Sequence, residues 1–354
     1  MISPVTVHGN GFELAQVGEF PRGRCRSPSR CRRSRAPAIR KRVAIGDPAA
    51  TGPAGAADRE NACPTTLGHT LNMGPSKGVA MCLVFVGWQM HPVCAVVIAA
   101  NRDELYGRPT EPLAWREIAG VRMLCGLDVG SGGTWMGVTG AGRFGVLTDV
   151  VATRNGWPTA QPGTSSRGQL IPEFLASSVT PAQYARRLAD DGARYDGFNL
   201  LIGDLRTGEL WWTSNRSDGR AEALTGGVHG LSILPQINPS WPKVVGGAAD
   251  FGRVLHADDG ADRWIDDYLE VMSGRAARRL TPAPPLPDID VVFPLRKLSS
   301  PRMIRAGFYG TRASTVLRIR HSGETDMTER RFGRLRKTGE TTIRTHIDTV
   351  ANRH

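Results

Sequence analysis

The chain has 354 residues, 40% hydrophobic and 22% charged, the range of an ordinary globular protein with enough length for one large core or two small ones. Its formal charge of +12 invites a nucleic-acid partner, but residues 1–80 alone hold 12 Lys/Arg against 5 Asp/Glu, so +7 of the excess lies there. The remainder is too dilute for a phosphate-tracking face, and no apolar run approaches the roughly 18 residues of a spanning helix, so neither nucleic-acid binding nor a membrane span is expected.

Residues 1–80 carry no periodic apolar face. Positions 21–42 are dense in arginine, and 46–80 are rich in Ala, Gly, Pro and Thr, a composition that cannot bury enough surface to offset its ordering entropy. A basic nucleic-acid arm would interleave aromatics with its arginines, and none is present. A transit peptide conflicts with Glu13 and Glu19 and with the lack of Arg or Lys in the first twenty residues. Arginine outnumbers lysine 40 to 5, a bias of GC-rich coding DNA in which open frames run long by chance. The expectation is a disordered extension upstream of a start at Met81.

From Cys82 the pattern changes. Residues 82–86 and 93–100 are apolar, β-branched runs joined through Gln89-Met90-His91-Pro92, and read as a hairpin buried on both faces. Strands follow at 134–139 and 144–150. The Gly140, Gly142 and Gly145 between and within them match G-x-G-x-x-G, yet they join two strands and do not open a helix, so the dinucleotide reading fails. Thr180-Pro181-Ala182-Gln183 is a helix start, with Tyr184 and Leu188 on one face and Gly192 as a stop; residues 167–177 supply a helical partner. Residues 199–203 and 210–213 are strands around a turn, and 262–273 is a helix through Ile265, Leu269 and Met272 before Gly274. Residues 281–287 form a proline-rich connector, 309–320 a strand region, and 335–354 a polar, frayed tail. The domain thus spans 81–334. Strands, two helices, more strands and another helix fit an α+β layered domain.

The six cysteines show no C-x-x-C pair and no dense framework, which favours a reducing, cytoplasmic setting. Cys82 is the sharpest chemical candidate. Pairing of the first two strands places it beside Asn101, Arg102, Asp103 and Glu104, where Arg102 can lower its pKa and Asp103 can orient a neighbouring ammonium. If residue 82 were the first residue, its own α-amine, of reference pKa about 7.7–8.0, would take the thiol proton. The plain alternative is an inert buried cysteine beside a solvated ion pair. Gly130 to Trp135 offers backbone N–H groups and an aromatic wall, through Thr134 and Trp135, to a ligand. His229 is a polar site residue, an axial haem ligand or a satisfied turn histidine. The eight histidines show no zinc spacing, and neither a metal nor a cofactor is expected.

Seven ordered motifs bear on identity: Met-Cys-Leu at 81–83, Ala-Ala-Asn-Arg-Asp-Glu at 99–104, Gly-Gly-Thr-Trp-Met-Gly-Val-Thr at 132–139, Gly-Phe-Asn-Leu-Leu at 197–201, His-Gly-Leu-Ser at 229–232, Trp-Pro-Lys-Val at 241–244 and Tyr-Gly-Thr-Arg-Ala-Ser-Thr-Val at 309–316. Together they resemble the NRDE family, which includes the transport and Golgi organisation protein 2 homologues, over roughly residues 81–331. The resemblance implies an N-terminal-nucleophile hydrolase-like fold, a four-layer αββα sandwich of two antiparallel sheets. It implies Cys82, Arg102 and Asp103 as catalytic groups, similar to the pattern of choloylglycine hydrolases and penicillin V acylases. Asn101, Glu104, Thr134, Trp135, Asp149, His229 and Arg312 are carried as ligand-binding. Two positions depart from the family: Asp149 stands where Asn is common, and Ile233 where Asn follows His-Gly-Leu-Ser. A lost amide there would remove an oxyanion donor. The expected activity is hydrolysis of a small acyl amide; the alternative is a non-catalytic carrier of haem or another hydrophobic ligand.

Overall fold

The structure is a computed structural model that describes residues 82–150, 163–275 and 301–348, with two short strands inside 151–162. The expectations for residues 1–81, for the connector at 281–287 and for the last residues of the tail lie outside the described residues. Strands β1 (Leu83–Trp88) and β2 (Cys94–Leu105) are followed by β3 (Thr110–Ile118), β4 (Val121–Asp128), β5 (Met136–Thr139), β6 (Arg143–Asp149) and a two-residue pair, β7 (Thr153–Arg154) and β8 (Trp157–Pro158). Helices α1 (Leu170–Ala176) and α2 (Pro181–Asp191) precede β9 (Phe198–Asp204), β10 (Glu209–Ser214), β11 (Ala221–Ala223) and β12 (Gly227–Leu231). Helices α3 (Pro242–Ala257) and α4 (Trp264–Ser273) then lead to β13 (Arg305–Ala306), β14 (Tyr309–Arg320), β15 (Glu324–Phe332) and β16 (Lys337–His346).

Two antiparallel sheets form, one in the order β12-β1-β2-β14-β15-β16 with β13 on β14, the other β11-β10-β9-β6-β5-β4-β3. Val84, Val86, Ile98 and Leu317 of the first meet Leu124, Val138, Phe144 and Leu201 of the second in a core between the sheets. Leu83, Phe85, Val97 and Ala99, on the opposite face of the first sheet, pack with Val244, Phe251 and Leu269 of α3 and α4. Met123, Leu200 and Ile202 of the second sheet pack with Ile171, Phe174 and Leu188 of α1 and α2. This is the expected α+β, αββα four-layer sandwich. Strands buried on both faces explain why β1 and β2 read as unbroken apolar runs.

Local signals account for several elements. In α2 the Thr180 hydroxyl accepts from Gln183 N–H at 3.2 Å and the Gln183 side chain accepts from Thr180 N–H at 3.0 Å, the reciprocal cap its spacing implied. Gly140-Ala141-Gly142 turns β5 into β6, as expected of a non-nucleotide motif. Other elements differ from expectation. The β3–β4 hairpin turns on Ala119 and Gly120, both at positive φ, in the manner of a two-residue primed turn whose first position lacks the usual Asn or Asp. Helix α3 is interrupted in sequence by Gly246, Gly247 and Gly252, which mask its periodicity; at Gly247 a Cβ would overlap the Phe85 ring, so glycine is what lets the helix lie against β1. The tail expected to fray instead supplies β16, paired along β15, and Ile347 beyond it is fully buried in the intersheet core.

Candidate functional site

Strand β2 continues past Ala100 to Leu105 because β14 pairs with it from Arg320 to Tyr309. Residues 101–104 are therefore strand, not a polar turn, and their side chains alternate between faces. Val96, Ile98 and Ala100 point between the sheets, so Arg102 and Glu104 do too; Val97 and Ala99 point at the helices, so Asn101 and Asp103 do as well. Leu83 pairs with Asn101, which brings Cys82 beside Arg102 as the hairpin argument required. A bulge in β14 at Arg312, between the Thr311–Asp103 and Ala313–Arg102 pairs, lies directly opposite this point.

A cavity of about 360 Å³ opens between the sheets, walled by Cys82, Arg102, Glu104, Thr134, Trp135, Leu147 and Asp149, with Arg108, Asp128, Arg167 and Asp196 also lining it. Arg102 is its central cation. Its Nη2 donates to Asp128 Oδ2 at 2.7 Å and its Nη1 to Thr110 Oγ1 at 3.2 Å, while the guanidinium carbon sits 4.6 Å from the Trp135 ring centroid. Glu104 lies 3.7 Å from it. Asp128 also accepts from Arg108 Nε at 2.6 Å. Burial alone would raise the Asp128 carboxyl, but the Arg108 hydrogen bond and both arginine charges outweigh it and hold it below its ordinary value. Asp149 is ion-paired to Arg167, a residue of the turn before α1 that no spacing in the sequence singled out.

Cys82 is 5% exposed, and its thiol is pushed up to about 12, chiefly by burial and then by the charges of Asp149 and Asp103; a backbone hydrogen bond from Asp103 and the Arg102 charge pull the other way and lose. The expected activation by Arg102 is thus present but outweighed by burial and by the two carboxylates. Asp103 is on the helix side of the sheet. One carboxylate oxygen accepts from Thr311 Oγ1 at 2.5 Å; the other is buried without a hydrogen-bond partner among the described residues. Burial pushes its carboxyl up to about 7, against the Thr311 bond and the charges of Lys243 and Arg102. Lys243, in the first turn of α3, lies within the Trp-Pro-Lys-Val motif at 241–244 but was not among the expected site residues. It is buried, with Nζ 4.3 Å from the Trp241 ring centroid, and burial pushes its amine down to about 8 although Asp103 and Cys82 favour its charge. A lysine set among Trp241, Pro242, Val244 and Val245 was the available sign.

The chain after β12 stitches the sheets together beneath Cys82. Ser232 Oγ donates to the Cys82 carbonyl at 3.0 Å, and the Ser232 carbonyl accepts from Thr148 Oγ1 at 2.9 Å and from Asn199 Nδ2 at 2.8 Å. Ile233 is buried in the helix-side core.

Of the residues expected to bind a ligand, Glu104, Thr134, Trp135 and Asp149 line the cavity, and Asn101, His229 and Arg312 do not. Asn101 donates Nδ2 to the carbonyls of Met272 and Arg302 and accepts from Ser314 Oγ, tying β2 to the end of α4 rather than facing the cavity. His229 lies in β12, not in a turn, with Nε2 2.9 Å from the Thr225 carbonyl and Nδ1 3.3 Å from Asn238 Nδ2. It does not line this cavity. Arg312 donates Nη1 to the carbonyls of Leu105 and Arg108 and so braces the turn that carries Arg108. The glycine-rich loop keeps its aromatic wall but not its donors: the N–H groups of Ser131 and Gly132 go to the Asp128 carbonyl, that of Gly133 to Ser131 Oγ and that of Thr134 to the Gly168 carbonyl. Among the described residues no group of three or more His, Cys, Asp or Glu side chains is placed to hold a metal.

Comparison with known proteins adds the following. The model of the family described as transport and Golgi organisation 2 matches residues 81–334. The chain is 30% identical over 264 residues to the transport and Golgi organization 2 homolog of Mus musculus, covering 71% of this chain and 92% of that protein. It is 29% identical over 262 residues to the Homo sapiens homolog, again 71% and 92%. Among solved structures it is similar to penicillin V acylase from Agrobacterium tumefaciens, with 11% identity, a TM-score of 0.40, and coverage of 75% of this chain and 86% of that one. It is also similar to a mutant of conjugated bile acid hydrolase from Clostridium perfringens, with 9% identity, a TM-score of 0.37, and coverage of 74% and 92%.

Proposed function

The chain belongs to the transport and Golgi organisation 2 family, and on that footing we propose that it is an amide-bond hydrolase whose nucleophile is Cys82, active when residue 82 carries a free α-amino group. The observation that carries the reading is the place of Cys82 in the wall of the cavity where Arg102, Trp135 and Asp149 converge. A thiol pushed up to about 12 is not a nucleophile at neutral pH without a base. An α-amine of reference pKa about 7.7–8.0 on the same residue is such a base.

The amine takes the thiol proton as sulfur attacks the amide carbonyl; the tetrahedral intermediate collapses with that proton returned to the leaving amine; water then hydrolyses the thioester. With the N–H groups of Ser131 to Thr134 engaged within the protein, the positive charge of Arg102, which reaches the Cys82 thiol, supports the developing oxyanion while Asp128 holds the guanidinium in place. Asp103, whose second oxygen has no hydrogen-bond partner among the described residues, supports the reading as the group that would orient the ammonium. Asp149 occupies a cavity wall where a carboxylate opposes developing negative charge, and its pairing with Arg167 offsets this. A volume of about 360 Å³ suits a small acyl amide.

The test is intact mass of the protein from its own host combined with turnover of N-acyl amides. The expected result is a chain beginning at Cys82 whose Cys82→Ala variant is folded and inactive. A chain retaining Met81 with full activity would overturn the mechanism.

A further inference from the structure

Three hairpin turns meet at one end of the described structure: the β2–β3 turn at 106–109, the β13–β14 turn at Gly307-Phe308 and the β15–β16 turn at 333–336. Tyr106 N–H donates to the Phe308 carbonyl at 2.9 Å, and Arg334 Nε donates to the Gly307 carbonyl at 2.6 Å, so the three are bonded in a row. The tips carry Phe308, 68% exposed, and Leu335, 84% exposed, the two most exposed large apolar side chains among the described residues. Their adjacency distinguishes them from scattered surface apolar residues.

The charge at the two tips is predominantly positive. Residues 301–312 and 330–339 contain no Asp or Glu, and Arg305, Arg334 and Arg336 are exposed there. The charges of Arg305, Arg312 and Arg334 all reach the Tyr106 phenol, against that of the buried Asp103 alone on the acidic side. Lys337 is the exception, held by Glu340 at 2.8 Å. Among the described residues no helix is long and apolar enough to cross a membrane. Two apolar tips that project from turns, ringed by arginine, fit a surface that yields to them and carries phosphate, a better match than a rigid partner needing preformed holes.

We propose that this end of the molecule docks on an anionic phospholipid surface, Phe308 and Leu335 entering the acyl boundary while Arg305, Arg334 and Arg336 meet the headgroup phosphates. The β2–β3 turn in the same row carries Arg108 and Pro109 of the cavity wall, so docking sets the cavity beside the interface. The docking itself stands independently of the chemistry assigned to Cys82.

Vesicle co-sedimentation of the full-length chain tests it, using phosphatidylcholine with and without phosphatidylserine. Binding is expected only with phosphatidylserine, and to weaken as salt is raised. Arg305→Gln/Arg334→Gln/Arg336→Gln should weaken partition about 100-fold, and Phe308→Ser/Leu335→Ser about 10-fold or more. Residues 1–80 are common to all variants, so equal binding by all of them overturns the proposal, as does self-association lost in Phe308→Ser/Leu335→Ser without vesicle binding. Should either variant melt early, Leu335→Cys carrying a polarity-sensitive dye gives the second reading: a blue shift on phosphatidylserine vesicles supports docking and no shift overturns it.

Discussion

Arg102 and Asp103 are neighbours in the chain and point to opposite faces of β2, one into the cavity between the sheets and the other under the helices. Their substitutions should therefore have separate signatures. Arg102 is 4% exposed and held at 2.7 Å by Asp128, so Asp128→Ala leaves a buried guanidinium with only Thr110 and the more distant Glu104, and is expected to lower stability by about 3 kcal/mol. The apolar pair Arg102→Met/Asp128→Leu should regain most of that loss. Urea midpoints of the two variants decide the point; equal losses would mean the pair itself, not the stranded charge, carries the energy.

Asp103 and Lys243 give the opposite face a pH signature. The folded-state carboxyl is raised from 3.8 to about 7, so between those values the native state binds more protons than the unfolded one and stability falls as pH rises. The Lys243 amine is lowered from 10.5 to about 8, so between 8 and 10.5 the unfolded state binds more protons and stability climbs with pH. The two windows leave a minimum between about 7 and 8. Asp103→Asn should flatten the acid side, its advantage over the parent protein shrinking as pH falls through 7 towards 4. Thermal melts at fixed ionic strength across pH 4–10 are the measurement, and an unchanged acid limb in Asp103→Asn would show that this carboxyl is not the group titrating.

How much of this was readable from residue order follows from the physics of each element. The Cys82 hairpin was legible because strands buried on both faces are apolar throughout, and α2 because a capping box is a local signal. The split of Asn101 and Asp103 from Arg102 and Glu104 was not, because whether a polar run is a turn or a strand depends on β14, which pairs with it from some 200 residues away. Arg108 and Arg167 belong to turns, and Asp128 to the end of β4, that only tertiary contact brings to the cavity. Lys243 stood within a quoted motif, but its approach to Asp103 was not legible, because Gly246, Gly247 and Gly252 flatten the helical pattern of α3 that brings it there.

The state of residue 82 should be readable from its reactivity. In a chain where Cys82 is internal, a thiol pushed up to about 12 predicts that alkylation by iodoacetamide climbs about tenfold per pH unit from pH 7 to 10. With a free α-amine the profile should instead break near about 8, where that amine titrates. Peptide mapping separates Cys82 from Cys94 and Cys125, whose thiols burial also raises, to about 11. A rate independent of pH over this range would be incompatible with either state.

The aromatic wall of the cavity depends on two backbones lying in contact. A Cβ at Gly133 would overlap the carbonyl oxygen of Gly168, the same group that accepts from Thr134 N–H at 3.1 Å, so nothing flexible can yield. Gly133→Ala is expected to cost about 1–3 kcal/mol and to alter Trp135 fluorescence. Gly107→Ala, where a Cβ meets nothing within 4 Å, should stay within about 0.5 kcal/mol. Comparable losses at the two positions would rule out the packing explanation.

The end of β16 offers the cleanest contrast between polar appearance and burial. Ile347 follows a strand of alternating half-exposed and exposed residues, yet its own exposure is 0% and it packs in the intersheet core with Leu205 and Phe144 in the same cluster. Its N–H donates to the Gly323 carbonyl at 2.9 Å, and the next residue, Asp348, donates to the Gly140 carbonyl at 2.9 Å, so the chain here is pinned to both sheets. Ile347→Ala is expected to lower stability by about 2–5 kcal/mol, the range for emptying a closed core site. Thr345→Ala, two residues back on the same strand and half-exposed, should change it by less than about 1 kcal/mol. Urea unfolding of the pair distinguishes a structural strand from a fraying tail: were Ile347→Ala as mild as Thr345→Ala, the segment would contribute no core contact and the pairing of β15 with β16 would have to be weak.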